Sequence, residues 1–299
     1  MAALPRLLAL LSIGVLAGCA TVVHATAQTS DLDVTRDVAY APGPRRSLDI
    51  YRPRQGAMLP IVIFLYGGSW RQGDKDTYPF VAAPIARRGA VVLVPDYRVY
   101  PQVRFPAFLQ DNAKTVAWAI AHAASLGGDP RRVFILGHSA GAYNAAMLAL
   151  DPQWLAAEGV DRRVLAGVIG LAGPYDFLPI TDPDIQPIFA PVEDGPASQP
   201  INFVDGHNPP MLLLAGDADT VVKPRNTTSL ATRIRQAGGP VSAKLYRDVS
   251  HIDIIAAFST LFRDTVPVLG DTWAFIAGQP PSPRDAARLH EPAAPGIRR

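Results

Sequence analysis

The stretch RRVFILGHSAGAYNAAMLAL, residues 131–150, decides the fold. An apolar run from Val133 to Leu136 halts at Gly137-His138-Ser139-Ala140-Gly141 and passes at once into an alanine-rich, helix-compatible segment. A sharp turn between such a strand and such a helix pushes Ser139 into a strained, exposed position. Glycines at 137 and 141 leave room for the helix to pack close against the strand. The same turn puts Ser139 near a helix N-terminus, where backbone N–H groups can hold negative charge. Gly-x-Ser-x-Gly alone also suits a small-residue turn with no chemistry, so the surroundings have to decide.

Working outward, LPIVIFLY at 59–66 and AVVLVPDY at 90–97 are nearly continuous β-branched and aromatic runs, as expected of central strands covered on both faces. VLAGVIGLA at 164–172, PMLLLAG at 210–216 and SAKLYRDV at 242–249 predict three more strands. Amphipathic segments lie between them, among them FPAFLQDNAKTVAWAIAHAASL at 105–126, and VTRDVAYAPGPRRSLDIYRP at 34–53 reads as an antiparallel hairpin. Strands alternating with helices predict an α/β fold with a mostly parallel central sheet and helices on both faces. A chain of 299 residues, 48% of them hydrophobic, suits one large domain, here 34–278. The Pro-rich, acidic, aperiodic segment 173–210 is read as a lid or pocket wall inserted before the next strand, and 279–299 as a disordered tail.

The N-terminus has a different composition. Arg6, the apolar stretch Leu7 to Leu16 and then small residues form the layout of an export signal, which predicts a signal peptide over 1–18 and a linker over 19–33. Leu16-Ala17-Gly18-Cys19 resembles the bacterial lipoprotein signal, implying a lipid on Cys19 and a membrane anchor facing the periplasm or the cell exterior. The alternative is cleavage after Ala25-Thr26-Ala27 and a soluble exported chain; both lie outside the cytoplasm. Cys19 is the single cysteine, so no intramolecular disulfide can form. A formal net charge of +2, with Lys and Arg scattered, gives no sign of a nucleic-acid footprint, and no nucleic-acid partner is expected.

A serine hydroxyl becomes a useful nucleophile only beside a base that an acid orients. If Ser139 comes first, the acid and then the histidine are sought past the ends of later strands. LLLAGDADTVV at 212–222 offers Asp217 and Asp219, and RDVSHIDII at 247–255 puts His251 just past the last strand. His207 precedes a strand, His138 packs in the turn beside Ser139, His122 lies on a helix and His290 in the tail. Asp176 follows a strand and reads as a cap for the first turn of the insertion.

With these motifs in order, residues 34–278 resemble the serine carboxylesterases of the α/β-hydrolase superfamily, close to the hormone-sensitive-lipase-like and bacterial feruloyl- or carboxylesterase groups. GDADTVV matches the Gly-x-x-Asp-x-x-Val element of that family, which favours Asp219 as the acid and leaves Asp217 as a loop brace. FLYGGSWRQGDK at 64–75 resembles its His-Gly-Gly-x-Trp loop and implies an oxyanion hole from the amides of Gly67, Gly68 and Ala140, with Ser69 a further candidate. Tyr66 stands where the family usually has histidine, though backbone donors do not depend on the lost imidazole. PDYRVYP at 95–101 resembles its Asp-Tyr-Arg element, read as a structural ion pair between Asp96 and Arg98. Trp70, Tyr97 and Phe189 are candidates to line an acyl or aryl pocket. The resemblance implies hydrolysis of a small ester by Ser139, His251 and Asp219, with no metal and no cofactor. Two alternatives stand beside it: amide hydrolysis of arylformamide type on the same residues, and a non-catalytic, surface-anchored binding protein, for which Tyr66 is the one feature in favour.

Overall fold

In the computed structural model, which describes residues 28–192 and 195–283, the apolar runs form the middle of one eight-stranded sheet. Its strands are β1 Leu32–Ala39, β2 Ser47–Pro53, β3 Leu59–Leu65, β4 Val91–Pro95, β5 Gly128–His138, β6 Leu165–Leu171, β7 Met211–Gly216 and β8 Val241–Tyr246, in the order β1-β2-β4-β3-β5-β6-β7-β8. The β1–β2 hairpin is antiparallel and β2 pairs antiparallel with β4, whereas every pairing from β4 to β8 is parallel. Every residue of β4, β6 and β7 is buried, which is why these strands read as unbroken apolar runs. Edge strand β8 alternates between partly buried and exposed positions before Tyr246.

The helices are α1 Pro79–Ala86, α2 Ala107–His122, α3 Ala140–Leu150, α4 Gln153–Ala156, α5 Gln186–Phe189, α6 Arg225–Gln236, α7 Asp253–Ala256 and α8 Val268–Gly278. Alternate residues of β3 enter opposite cores. Val62 and Phe64 pack with Val81 of α1 and Ile276 of α8, while Ile61, Ile63 and Leu65 pack with Val116 of α2, Leu148 of α3 and Ile234 of α6. Helix α3 is buried at every position, so, Asn144 apart, its sequence is apolar all round instead of striped.

Connectivity sets the location of the site. The chain leaves β3 for β4 on one side and returns to β5 on the other, so the loops after β3 and β5 diverge at a topological switch point. Leu65 pairs with Gly137 there, which brings residue 67 against residue 139.

The insertion 173–210 consists of α5 and short 3₁₀ turns, and it is tied to the body. The Tyr143 hydroxyl donates to the Ser198 carbonyl (2.8 Å), Asn226 Oδ1 accepts from the amides of Tyr175 and Asp176 (2.9 and 2.8 Å), and the Phe105 amide donates to the Ile188 carbonyl (2.9 Å). These bonds join it to α3, to α6 and to the segment leading into α2.

The expected Asp96–Arg98 ion pair is not formed. Beyond the end of β4, Arg98 turns to the fully buried Asp111 of α2 and donates from Nε and Nη2 at 2.8 and 3.0 Å; Arg46 Nε adds a third contact at 3.0 Å. A carboxylate removed from water needs this density of charged donors. Asp96 is instead met by the Tyr66 hydroxyl and the Lys75 amide, at 2.7 and 2.9 Å.

Strand β1 begins at Leu32, inside the segment expected as linker, and Asp31 just before it is held by Arg87 at 2.7 Å. Past residue 278, the Ser282 amide donates to the Arg131 carbonyl at 2.7 Å. The expectations for 1–18, for Cys19 and for His290 fall outside the described residues.

Candidate active site

Ser139 sits between β5 and α3 with φ 55° and ψ −122°. A non-glycine residue in that conformation costs on the order of 1–3 kcal/mol and is held by its surroundings. Part of the restraint is its amide, which donates to the Leu171 carbonyl of the neighbouring strand at 2.9 Å. The flanking glycines are required sterically: a Cβ on Gly137 would run into the Gly141 carbonyl, and one on Gly141 into the Leu65 carbonyl. Ala140 occupies the first position of α3, where an amide has no intrahelical acceptor.

The loops after β7 and β8 deliver Asp219 and His251 to the same end of the sheet. His251 Nε2 lies 3.0 Å from Ser139 Oγ, and its Nδ1 lies 2.7 Å from Asp219 Oδ2. Asp219 and His251 are 3% and 7% exposed, so this pair is shielded from bulk water, while Ser139 is partly exposed. Burial alone would raise the Asp219 carboxyl, but the hydrogen bond from His251 and the amides of Val221 and Val222 (both 2.8 Å) outweigh it and hold it below its ordinary value. A carboxylate on Nδ1 puts the imidazole proton there and leaves Nε2 to accept from the serine hydroxyl. Such a row can move a proton off Ser139.

The other candidates lie elsewhere. Asp217 accepts the Asp248 amide at 2.7 Å and joins the two loops that carry Asp219 and His251. His138 is buried, and its Nε2 meets the His251 carbonyl at 3.1 Å. Desolvation, aided by the nearby His251, pushes its imidazole down to about 3, so it stays neutral and braces the His251 backbone. His207 is exposed near Asp205, and the His122 ring stacks on Trp118. The Asp176 carboxylate faces Arg225 at 3.9 Å.

After β3 the chain makes its closest approach to the serine. A Cβ on Gly67 would stand 2.9 Å from Ser139 Cβ and 3.1 Å from the His138 carbonyl. Gly68, at φ 118°, turns back so that its carbonyl accepts from the amides of Arg71 and Gln72, at 3.0 and 3.1 Å. Ser69 and Trp70 follow with φ 54° and 55°, and the Trp70 indole N–H donates to Asn144 of α3 at 3.0 Å. The Trp70 bond holds the loop against α3.

Of the three aromatic candidates, Trp70 and Phe189 pack edge to face at 4.9 Å and both contact Tyr143 and Phe177, at the junction of loop 66–70 with the insertion. Tyr97 does not line a cavity with them. It is fully buried behind the loop, stacks on Tyr66 at 4.8 Å and donates its hydroxyl to the Tyr66 carbonyl at 2.7 Å. Reasoning from sequence missed Arg45, Asn144 and Asn226. Each acts on a segment distant along the chain, and no local pattern marks it.

With this geometry in view, the comparison with known families is specific: the BD-FAE model matches residues 48–234, more than half of the chain. The chain belongs to the BD-FAE family. The match runs from β2 into α6 and includes Gly67, Gly68, Ser139 and Asp219; His251 lies beyond it, brought in by β8. Among curated proteins, esterase LipC of Mycobacterium tuberculosis is 31% identical over 221 residues, covering 67% of this chain and 55% of that protein. A probable isoprenylcysteine α-carbonyl methylesterase of Arabidopsis thaliana is 28% identical over 269 residues, covering 80% and 56%. The chain therefore spans little more than half the length of these relatives. Among solved structures, esterase B from Lactobacillus rhamnosis superposes with a TM-score of 0.75 at 19% identity, over 89% of this chain and 93% of that one. A truncated carbohydrate esterase from gut microbiota does so at 0.68 and 20%, over 84% and 97%. At such identities the structural likeness establishes the fold: a mostly parallel α/β-hydrolase sheet flanked by helices.

Proposed function

We propose that this family member hydrolyses carboxylic esters through an acyl-enzyme on Ser139. The observation that carries the reading is the unbroken hydrogen-bonded row Asp219–His251–Ser139 at a strained strand-to-helix turn. The esterase names of its relatives support it. Ser139 Oγ adds to the ester carbonyl carbon as its proton passes to His251 Nε2. Negative charge on the former carbonyl oxygen is met by backbone amides of Gly67, Gly68 and Ala140. His251 then gives the proton to the departing alcohol as the C–O bond breaks, and water repeats the sequence to release the acid. Asp219 holds the tautomer and balances the imidazolium.

The test is labelling of the purified protein with a fluorophosphonate, followed by a panel of p-nitrophenyl esters. Stoichiometric labelling at Ser139 is expected, with acetyl and butyryl esters turned over faster than octanoyl and longer ones. The reason is that Trp70, Tyr143, Phe177 and Phe189 pack on one another under an insertion hydrogen-bonded to the body. A folded protein that takes no label and turns over no ester supports the binding-protein alternative.

The N-terminal motif carries a second proposal, that the chain is exported and anchored through lipid on Cys19. More than one acyl chain anchors stably, at about 0.8 kcal/mol per buried CH₂, where a single myristoyl group would not. Mass spectrometry of the mature N-terminus is expected to find an acylated Cys19; an unmodified start at Gln28 would refute anchoring.

A further inference from the structure

Tyr66 heads loop 66–70, and its surroundings show what the phenol contacts. The ring is fully buried, stacked between Tyr97 at 4.8 Å and Tyr78 at 5.4 Å. The hydroxyl donates to Asp96 Oδ1 (2.7 Å) and accepts from Arg45 Nη2 (2.9 Å). Both partners lie behind the loop, so the phenol is no donor to an oxyanion. Arg45 comes from the turn of the β1–β2 hairpin and makes two further bonds, from Nη2 to the Gly73 carbonyl at 2.6 Å and from Nε to the Tyr97 carbonyl at 3.0 Å. Its side chain is 25% exposed, and the guanidinium is engaged through Nε and Nη2.

These contacts converge on one peptide bond. The Tyr97 hydroxyl donates to the Tyr66 carbonyl at 2.7 Å, and that carbonyl shares a planar trans peptide unit with the Gly67 N–H. Holding the carbonyl from behind sets the direction of the N–H on the other side, where Gly67 abuts Ser139. A hydrogen bond to the carbonyl also polarises the amide and strengthens its N–H as a donor. Arg45 grips the backbone of Tyr97 and the phenol of Tyr66, the two residues that fix this peptide. We propose that Arg45 is a positioning residue for the oxyanion loop, acting through Tyr66 and Tyr97 to orient the Gly67 amide. The hairpin is thereby coupled to the chemistry although it touches no reacting atom. This inference rests on the esterase reading above.

The experiment compares wild type with Arg45→Gln, Arg45→Lys and Tyr97→Phe on one short-chain p-nitrophenyl ester, and measures inhibition by a trifluoromethyl ketone, whose serine adduct places an oxyanion in the hole. Misdirecting one donor predicts a kcat lower by about 10- to 100-fold in Arg45→Gln and Tyr97→Phe with KM little changed. Ketone affinity should fall in parallel with kcat, and Arg45→Lys should recover part of both. Tyr97→Phe is isosteric and carries the test if Arg45→Gln does not fold. The proposal is overturned if folded Arg45→Gln and Tyr97→Phe keep kcat within about threefold of wild type. It is also overturned if kcat falls while ketone affinity holds. Wild type that turns over no ester overturns the esterase reading and this inference with it, whereas an active wild type with indifferent variants overturns this inference alone.

Discussion

Ser139→Ala is expected to lower kcat for ester hydrolysis by roughly 10³- to 10⁶-fold, His251→Ala to match it, and the double variant to be little worse than either. The non-additivity follows from geometry. The Ser139 hydroxyl has His251 Nε2 at 3.0 Å as its proton acceptor, so removing either member disables the same step. Folding should survive both changes. Alanine at 139 removes only a hydroxyl at a turn held by the Leu171 carbonyl and by the packing of Gly137 and Gly141, while the His138–His251 backbone bond does not involve the His251 ring. Residual turnover in the variants reports what the backbone amides contribute alone. His207→Ala and Asp176→Asn serve as controls and are expected to keep full activity, since neither side chain touches the row. Full turnover by folded Ser139→Ala would remove the nucleophile.

Asp219→Asn is expected to cost about 10²- to 10⁴-fold in kcat, against little change for Asp217→Asn. One residue separates these carboxylates and their environments differ. Asp219 is buried against His251 Nδ1 and held ionised by His251 and two amides, whereas Asp217 is exposed and accepts one amide from the turn at Asp248. Asparagine at 219 offers an amide N–H to Nδ1, which favours the tautomer protonated at Nε2, and that nitrogen can no longer accept from the serine. The same carboxyl predicts a stability effect. Its pKa is depressed on folding, so its contribution is complete above the unfolded value near ~4 and is lost as pH falls through the lower folded value. Thermal midpoints measured between neutral and acidic pH should therefore fall less steeply in Asp219→Asn than in wild type. Equal losses of kcat in the 217 and 219 variants would leave the acid unassigned.

Much of this was legible in the primary sequence because it depends on neighbours along the chain. Gly137 and Gly141 flank a serine between an apolar strand and an apolar helix, and that local pattern suffices to specify the strained turn, since a Cβ at either glycine would collide with backbone. The unbroken runs of β4, β6 and β7 announced strands covered on both faces, and the order serine, aspartate, histidine past successive strand ends anticipated the residues that the sheet brings together. Tertiary structure decided the partners. Asp96 and Arg98 looked complementary, yet the fully buried Asp111 on α2 takes Arg98 and Arg46 because a carboxylate out of water needs charged donors, while the partly buried Asp96 is met by the Tyr66 hydroxyl, the Lys75 amide and Arg45. Tyr97 is a brace instead of a pocket wall, and Arg45 reaches Tyr66, because β2 pairs with β4 while β4 lies beside β3, so a hairpin turn meets the loop after β3. Local pattern specifies backbone conformation and burial, since those are set by adjacent residues. Which of several chemically equivalent donors meets a given acceptor is set by sheet order, and no short stretch of this sequence encodes that order.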